Sequence, residues 1–138
     1  ALPEMPKVKA AVLDSAFADL TSMVEHQFRF LPQTLRTVVT QVARGISWIE
    51  TGADINQLAP AQAISKIDIP ILIIHGDADR IVPVEHASLL HAAAERNSTI
   101  HIEPGGPHIG TVMMNSHKYE RLVSQHFLRA LNSKPDTD

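Results

Sequence analysis

Two short segments place acidic and imidazole groups among glycines and prolines. The first, residues 75–83, reads His-Gly-Asp-Ala-Asp-Arg-Ile-Val-Pro and carries the carboxylates of Asp77 and Asp79. The second, residues 103–110, reads Glu-Pro-Gly-Gly-Pro-His-Ile-Gly and has His108 as its only imidazole. An imidazole oriented by a carboxylate is a general base that can take a proton from a nucleophile. The two segments therefore indicate acid–base chemistry of the kind used in nucleophilic catalysis.

Each of these segments follows a predicted β-strand. The stretch 69–75 is apolar on both faces, as a central strand of a helix-covered parallel sheet requires. The stretch 98–103 alternates polar and apolar residues, which favours a position toward a sheet edge. A first strand is predicted at 8–13. Strands separated by helical sequence imply an α/β fold with parallel strands, whose carboxyl ends gather ligands and catalytic groups. We expect the two loops to be neighbours there, with Asp79 and His108 within hydrogen-bonding reach.

The sequence predicts a single segment that spans residues 1–138. Outside the strands, its pattern mainly indicates helices. An insertion at about 16–68 contains helical stretches at 18–30 and 34–44, with Pro32 and Gly45 as predicted breaks. Insertions of this length often form lids. Two more helices are predicted, one opening at 83–85 and one over about 115–131.

The acid loop (75–83) and the histidine loop (103–110) together resemble those of α/β-hydrolases of the serine aminopeptidase, dienelactone hydrolase and acyl-esterase kind. The resemblance extends from Lys7 to Leu131, and it includes the linker at 52–60 and the approach to the second strand at 67–70.

This resemblance implies that the chain is the C-terminal half of such a fold. It also implies that Asp79 is the triad acid and His108 the general base, with Asp77 fixing the acid loop by accepting backbone N–H groups two residues on. In the alternative interpretation both aspartates only cap a turn and the following helix, and His108 is a surface residue.

A nucleophile is harder to assign. The family carries its serine in a Gly-x-Ser-x-Gly elbow, and this sequence has no such pattern. The nearest candidates are Ser15 and Ser47. The segment 13–17 resembles the region after the next strand of the family, where the serine is not the nucleophile. We therefore expect the elbow to belong to an N-terminal half that is absent from this chain, and Ser15 to be either a strand-end residue or a substitute nucleophile.

The resemblance implies hydrolysis of an ester, thioester or amide through an acyl-enzyme, with no cofactor. The oxyanion donors would also lie in the missing half, so the chain alone is expected to be inactive. Two alternatives stay open. One is a small active esterase that uses Ser15, and the other is a non-catalytic module whose surface binds a partner.

Composition narrows the classes of partner. A net charge of -3 with dispersed charges gives no field that would attract nucleic acid, and no apolar run approaches the length of a membrane span. The sequence has no cysteine, so the redox compartment and the cellular location stay open. Eight histidines raise the question of a metal, but His86, His91 and His101 do not have ligand spacing. We expect no metal site.

Two further expectations concern apolar surface. The insertion contains three aromatic residues that either line an acyl pocket or belong to a core: Phe28, Phe30 and Trp48. At the end of the second strand, His75 is expected to be a satisfied core or loop residue. Because the strand at 8–13 would lack one neighbour, we expect a homo-oligomer or a complex with the missing half.

Overall fold

Three parallel strands form the centre of the protein. The computed structural model describes residues 8–51, 59–94 and 96–132. Strand β1 spans Ala11–Asp14, β2 spans Ile71–Gly76 and β3 spans Ser98–Glu103, and they lie side by side in that order. Asp14 pairs with Ile74, and Gly76 pairs with Glu103. All three strands therefore end at the same edge of the sheet, and this edge presents the loops that carry the acidic and imidazole groups.

Helices connect the strands and follow the last of them. In chain order they are α1 Leu20–Gln27, α2 Gln33–Thr51, α3 Pro60–Ile64, α4 Glu85–Ala93, α5 Gly110–Met114 and α6 Ser116–Asn132. Asp19 caps α1, since its carboxylate accepts a hydrogen bond of 2.7 Å from the N–H of Ser22. Within the three described ranges, no helix combines the length and the apolar character that crossing a bilayer requires.

The core lies between β2 and the helices on one side of the sheet. Every residue of β2 is buried. Ile71 and Ile73 pack with Leu90 and Ala87 of α4, and the cluster extends to Ile64 at the end of α3. Full burial on both faces explains the unbroken apolar sequence of β2, because water reaches neither side of a central parallel strand.

The predicted α/β architecture is confirmed, and several details differ from expectation. Strand β1 spans Ala11–Asp14 rather than 8–13, and β2 spans Ile71–Gly76 rather than 69–75. The predicted break at Gly45 is wrong: α2 continues through it, because one helical glycine costs only about 1 kcal/mol and the amphipathic sequence around it favours helix. The first helical stretch is shorter than predicted, ending at Gln27. The helices α3 and α5 are not among the predicted elements, because a segment of five residues shows little helical periodicity. Most of the family-like linker at 52–60 lies outside the described residues.

Candidate active site

The acid loop begins where β2 ends, and it folds around one carboxylate. The side chain of Asp79 is fully buried. Its Oδ1 atom accepts hydrogen bonds from the backbone N–H groups of Ile81, at 2.8 Å, and Val82, at 2.9 Å. A buried carboxylate needs such donors to replace its lost hydration. The turn therefore fixes both the position of Asp79 and the direction in which its second oxygen points.

That second oxygen meets the histidine loop. The Oδ2 atom of Asp79 lies 2.8 Å from Nδ1 of His108, across 29 residues of sequence. The predicted approach of these two side chains is confirmed. An ionised carboxylate only accepts hydrogen bonds, so Nδ1 is the protonated nitrogen, and neutral His108 carries its lone pair on Nε2. The His108 side chain is 30% exposed, so it is accessible to solvent and to other molecules.

The charge of Asp79 is favoured despite its burial. Burial raises the pKa of this carboxyl. Three hydrogen bonds together lower the pKa by more than burial raises it, and their donors are the N–H of Val82, His108 and the N–H of Ile81. The pKa of Asp79 consequently lies below its ordinary value of 3.8. The carboxylate is therefore ionised at neutral pH, which suits it to stabilise a protonated imidazole next to it.

A second imidazole lies behind the carboxylate. Nε2 of the buried His75 is 2.9 Å from the carbonyl oxygen of Val82 and 3.4 Å from Oδ2 of Asp79. The carbonyl can only accept, so Nε2 donates and supports the acid loop from the end of β2. His75 is buried, as predicted for a core residue, but only its Nε2 is satisfied, because its Nδ1 has no hydrogen-bond partner among the described residues. The spacing of four residues from His75 to Asp79 was the available signal for this contact.

Two glycines and Asp77 hold the acid loop against the histidine loop. A Cβ atom at Gly76 would lie 2.0 Å from the carbonyl oxygen of Gly106, so this approach requires glycine. The same carbonyl accepts a 3.0 Å hydrogen bond from the N–H of Ala78. Asp77 accepts a 2.6 Å bond from the N–H of Gly105. The prediction that Asp77 bonds within its own loop is therefore wrong: Asp79 makes the local bonds, and Asp77 joins the two loops.

Ser15 lies at the end of β1, and it too contacts the histidine loop. It is buried, its φ is 51°, and its Oγ accepts a 2.9 Å hydrogen bond from the N–H of Ile109. The same hydroxyl lies 3.2 Å from Oδ1 of Asp14, to which it donates. Within the described part of the chain, Ser15 has no hydrogen bond to His108. The geometry gives Ser15 a contact beside the imidazole rather than with it.

Glu103, the last residue of β3, belongs to an ionic cluster at the foot of the histidine loop. Its Oε2 lies 3.0 Å from Nε2 of His101 and 2.8 Å from Nζ of Lys118 on α6. The hydrogen bonds from His101 and then from Lys118 lower the pKa of Glu103. The cluster connects α6 to the strand that carries the histidine loop.

The remaining candidate residues are dispersed. Nδ1 of His86 accepts a hydrogen bond from the N–H of Ala18, and Nδ1 of His91 lies 2.8 Å from the hydroxyl of Ser98. In the portions of the chain that the structure describes, no three His, Cys, Asp or Glu side chains group to hold a metal ion.

Of the three aromatic candidates of the insertion, the structure describes the side chains of Phe28 and Phe30. Phe30 is 75% exposed, and its ring lies 6.3 Å from that of Phe28. The side chains of Trp48 and of Ser47 lie outside the described residues. The structure therefore excludes Phe30 from a core and leaves the acyl-pocket interpretation as a prediction.

Comparison with known proteins gives the context of this geometry. A family model described as BD-FAE matches residues 3–94. An uncharacterized protein of Escherichia coli, YfhR, is 27% identical over 128 residues, which cover 91% of this chain and 38% of that protein. The chain thus spans well under half the length of the curated relatives that it matches.

Solved structures agree on the fold. An esterase from Pyrococcus furiosus superposes with a TM-score of 0.64 at 19% identity, covering 93% of this chain and 47% of that one. An acylaminoacyl peptidase from Pyrococcus horikoshii superposes with a TM-score of 0.69 at 18% identity, covering 100% of this chain and 22% of that one. These similarities confirm the predicted class, the α/β-hydrolase fold.

Proposed function

The chain belongs to the BD-FAE family, whose members are esterase- and hydrolase-like α/β-hydrolases, and from this premise we propose that Asp79 and His108 are the acid and base of a serine hydrolase. The substrate class is an ester, thioester or amide. One observation carries the proposal: the 2.8 Å contact between Nδ1 of His108 and the buried, ionised carboxylate of Asp79. That contact leaves Nε2 as the basic nitrogen, the one that a serine hydroxyl must reach.

The chemistry follows from the position of the protons. Nε2 of His108 takes the proton of a serine hydroxyl while the serine oxygen attacks the carbonyl carbon of the substrate. The imidazolium that forms is stabilised by Asp79, and it then gives the proton to the leaving alcohol, thiol or amine. Water repeats the cycle and releases the acid from the acyl-enzyme. No cofactor takes part in this scheme.

The nucleophile in this proposal lies outside the 138 residues. The sequence contains no Gly-x-Ser-x-Gly pattern, and the hydroxyl of Ser15 is engaged with Ile109 and Asp14. The coding sequence upstream of Ala1 gives the first test. A Gly-x-Ser-x-Gly pattern encoded there supports the proposal, whereas its absence from the whole gene contradicts it.

The second test uses the protein that carries such an elbow. Asp79→Asn and His108→Gln should each lower kcat for p-nitrophenyl acetate by about 10⁴-fold, because a triad loses its base when either member is removed. Asp68→Asn and His117→Gln are matched controls at exposed positions, and we expect no change in them. Unchanged kcat in both site variants would exclude the assignment.

A third test uses the chain alone. Without a nucleophile and oxyanion donors, it should hydrolyse p-nitrophenyl acetate slowly and without a burst of product, and a fluorophosphonate should not label it. His108→Gln should reduce this slow hydrolysis more than His117→Gln. A burst that Ser15→Ala abolishes, with the label mapped to Ser15, would instead establish a small esterase that uses Ser15.

The assembly state belongs to the same proposal. Among the described strands, β1 pairs only with β2, so one side of β1 offers unpaired N–H and C=O groups. We propose that a second copy or an N-terminal half of the fold occupies this edge. Light scattering at micromolar concentration measures the mass, and a well-behaved monomer would contradict this part of the proposal.

A further inference from the structure

The residue that follows His108 has a conformation that its side chain disfavours. Ile109 has a φ of 57°, in the left-handed region, where a β-branched residue is a genuine outlier. Such conformations persist only where the surroundings hold them in place. The surroundings here include one specific bond, from the N–H of Ile109 to Oγ of Ser15 at 2.9 Å.

Ser15 shares this feature, with a φ of 51° at the point where β1 ends. Its own N–H donates to the carbonyl of Ile74 at 2.9 Å, which continues the pairing of β1 with β2 by one residue. Two residues in unfavourable conformations thus meet through a single hydrogen bond across 94 residues of sequence. The bond joins the rigid end of the sheet to the backbone beside the imidazole.

The Ser15 hydroxyl is itself oriented. It donates to Oδ1 of Asp14, whose negative charge also acts on the phenol of Tyr119 on α6. Burial raises the pKa of Tyr119, and the negative charge of Asp14 raises it further, so the phenol keeps its proton. With its proton directed to Asp14, the hydroxyl of Ser15 presents a lone pair to Ile109.

We propose that Ser15 is a positioning residue for His108: its hydroxyl anchors the N–H of Ile109, and this fixes the backbone that holds the imidazole against Asp79. The identity of His108 as a catalytic base rests on the proposed function, but the anchoring does not. In this arrangement Ser15 acts as an acceptor of a backbone hydrogen bond, not as a nucleophile.

Proton NMR of the chain labelled with ¹⁵N-histidine monitors the hydrogen bond between His108 and Asp79 and so tests this proposal. The Nδ1 proton of His108 should give a resonance far downfield, identified by its disappearance in His108→Gln. In Ser15→Ala the acceptor is lost, and the exchange of this proton with water should accelerate by about fivefold or more, which corresponds to the loss of one hydrogen bond. Ser65→Ala, at an exposed serine of α3's C-terminal end, is the matched control and should not change it.

Ser15→Gly separates the hydroxyl from the backbone strain. Glycine adopts a positive φ without steric cost, so this variant removes the hydroxyl, with its bonds to Ile109 and Asp14, and should fold at least as well as Ser15→Ala. Accelerated exchange in both variants supports the proposal. Wild-type exchange in Ser15→Gly overturns it, and so does a wild-type spectrum without the His108 resonance. None of these outcomes requires turnover, so they remain separate from the kcat test of the proposed function.

Discussion

The sheet edge that holds Asp79 and His108 and the helical insertion between β1 and β2 are stabilised in different ways. At the edge, backbone groups from segments far apart in sequence meet directly, as Gly76 meets Gly106. In the insertion, α2 presents a row of apolar side chains to solvent, each at least half exposed: Leu35, Val38, Val42, Ile46 and Ile49. The edge is thus specified by close long-range contacts, whereas α1 and α2 of the insertion depend on helix propensity and a few attachments.

Two of those attachments are visible. Nε2 of Gln27, at the end of α1, donates a 2.8 Å hydrogen bond to the carbonyl of Ile81 in the acid loop. Nδ1 of His86 accepts from the N–H of Ala18 ahead of α1. Equivalent substitutions in the two regions should therefore change the free energy of unfolding by unequal amounts, which pairs of matched variants can measure.

The largest difference between the two regions in the free energy of unfolding should come from replacing a glycine in each. In Gly76→Ala the new Cβ would overlap the carbonyl of Gly106, so the two loops must separate. We expect the free energy of unfolding to fall by about 3–5 kcal/mol, at the upper end for a single substitution. Gly45→Ala, in α2 with nothing within 4 Å of the new Cβ, should raise it by about 0.5–1 kcal/mol. Urea denaturation measures both, and equal effects would refute the comparison.

The next largest difference should come from apolar truncation. Leu90 is fully buried against β2, so Leu90→Ala should cost about 2–5 kcal/mol through lost burial and the cavity left behind. Val42→Ala on the exposed face of α2 should change stability by less than about 0.5 kcal/mol. A cost above 1 kcal/mol at Val42 would show instead that another surface covers α2 in solution.

Local features of this fold can be predicted from the sequence, whereas contacts between distant loops cannot. The strand β3 was predicted with its observed bounds, because its alternation and the flanking turn residues are local signals. The contact between Asp79 and His108 followed from two adjacent strand ends and a family resemblance. The contacts of His75 lie only four and seven residues along the chain, so its spacing could have indicated them. The roles of Asp77 and Ser15 did not follow, because their partners are backbone groups of loops far along the chain. No spacing rule encodes such contacts.

A smaller effect is expected at the bond between the two loops. Asp77→Ala removes the acceptor for the N–H of Gly105 at an exposed position and should cost about 1 kcal/mol. Asp68→Ala, at another exposed aspartate, should be neutral. Since Gly76 still touches Gly106, the loops should remain adjacent, and thermal denaturation with a preserved His108 resonance would check this. Loss of that resonance would show that Asp77 holds the site itself.

The least disruptive test is a change of pH. Burial lowers the pKa of His86 below 6.5, so the unfolded chain binds its proton first, and stability falls as the pH drops through about 6.5. The lowered pKa of Asp79 gives stability that persists above its unfolded value of 3.8 and is lost as the pH falls further. Between these values, hydrogen exchange should accelerate at Ala18 before it does at Ile81. His86→Gln should flatten the first step, and simultaneous loosening would contradict the separation of the two regions.

The parallel order of the strands has a consequence for the folding pathway. Ile71 pairs with Ser98 on one side and with Ala11 on the other, the second separation in sequence being about twice the first. Closing the longer loop costs about 0.6 kcal/mol more. We expect the unit of β2, α4 and β3 to form first and β1 to join later, although β1 is synthesised earlier. Substitutions in β3 should then slow refolding, whereas substitutions in β1 should mainly accelerate unfolding. Asp79 and His108 would come together early, and the hydrogen bond from the N–H of Ile109 to the hydroxyl of Ser15 would form in the final step.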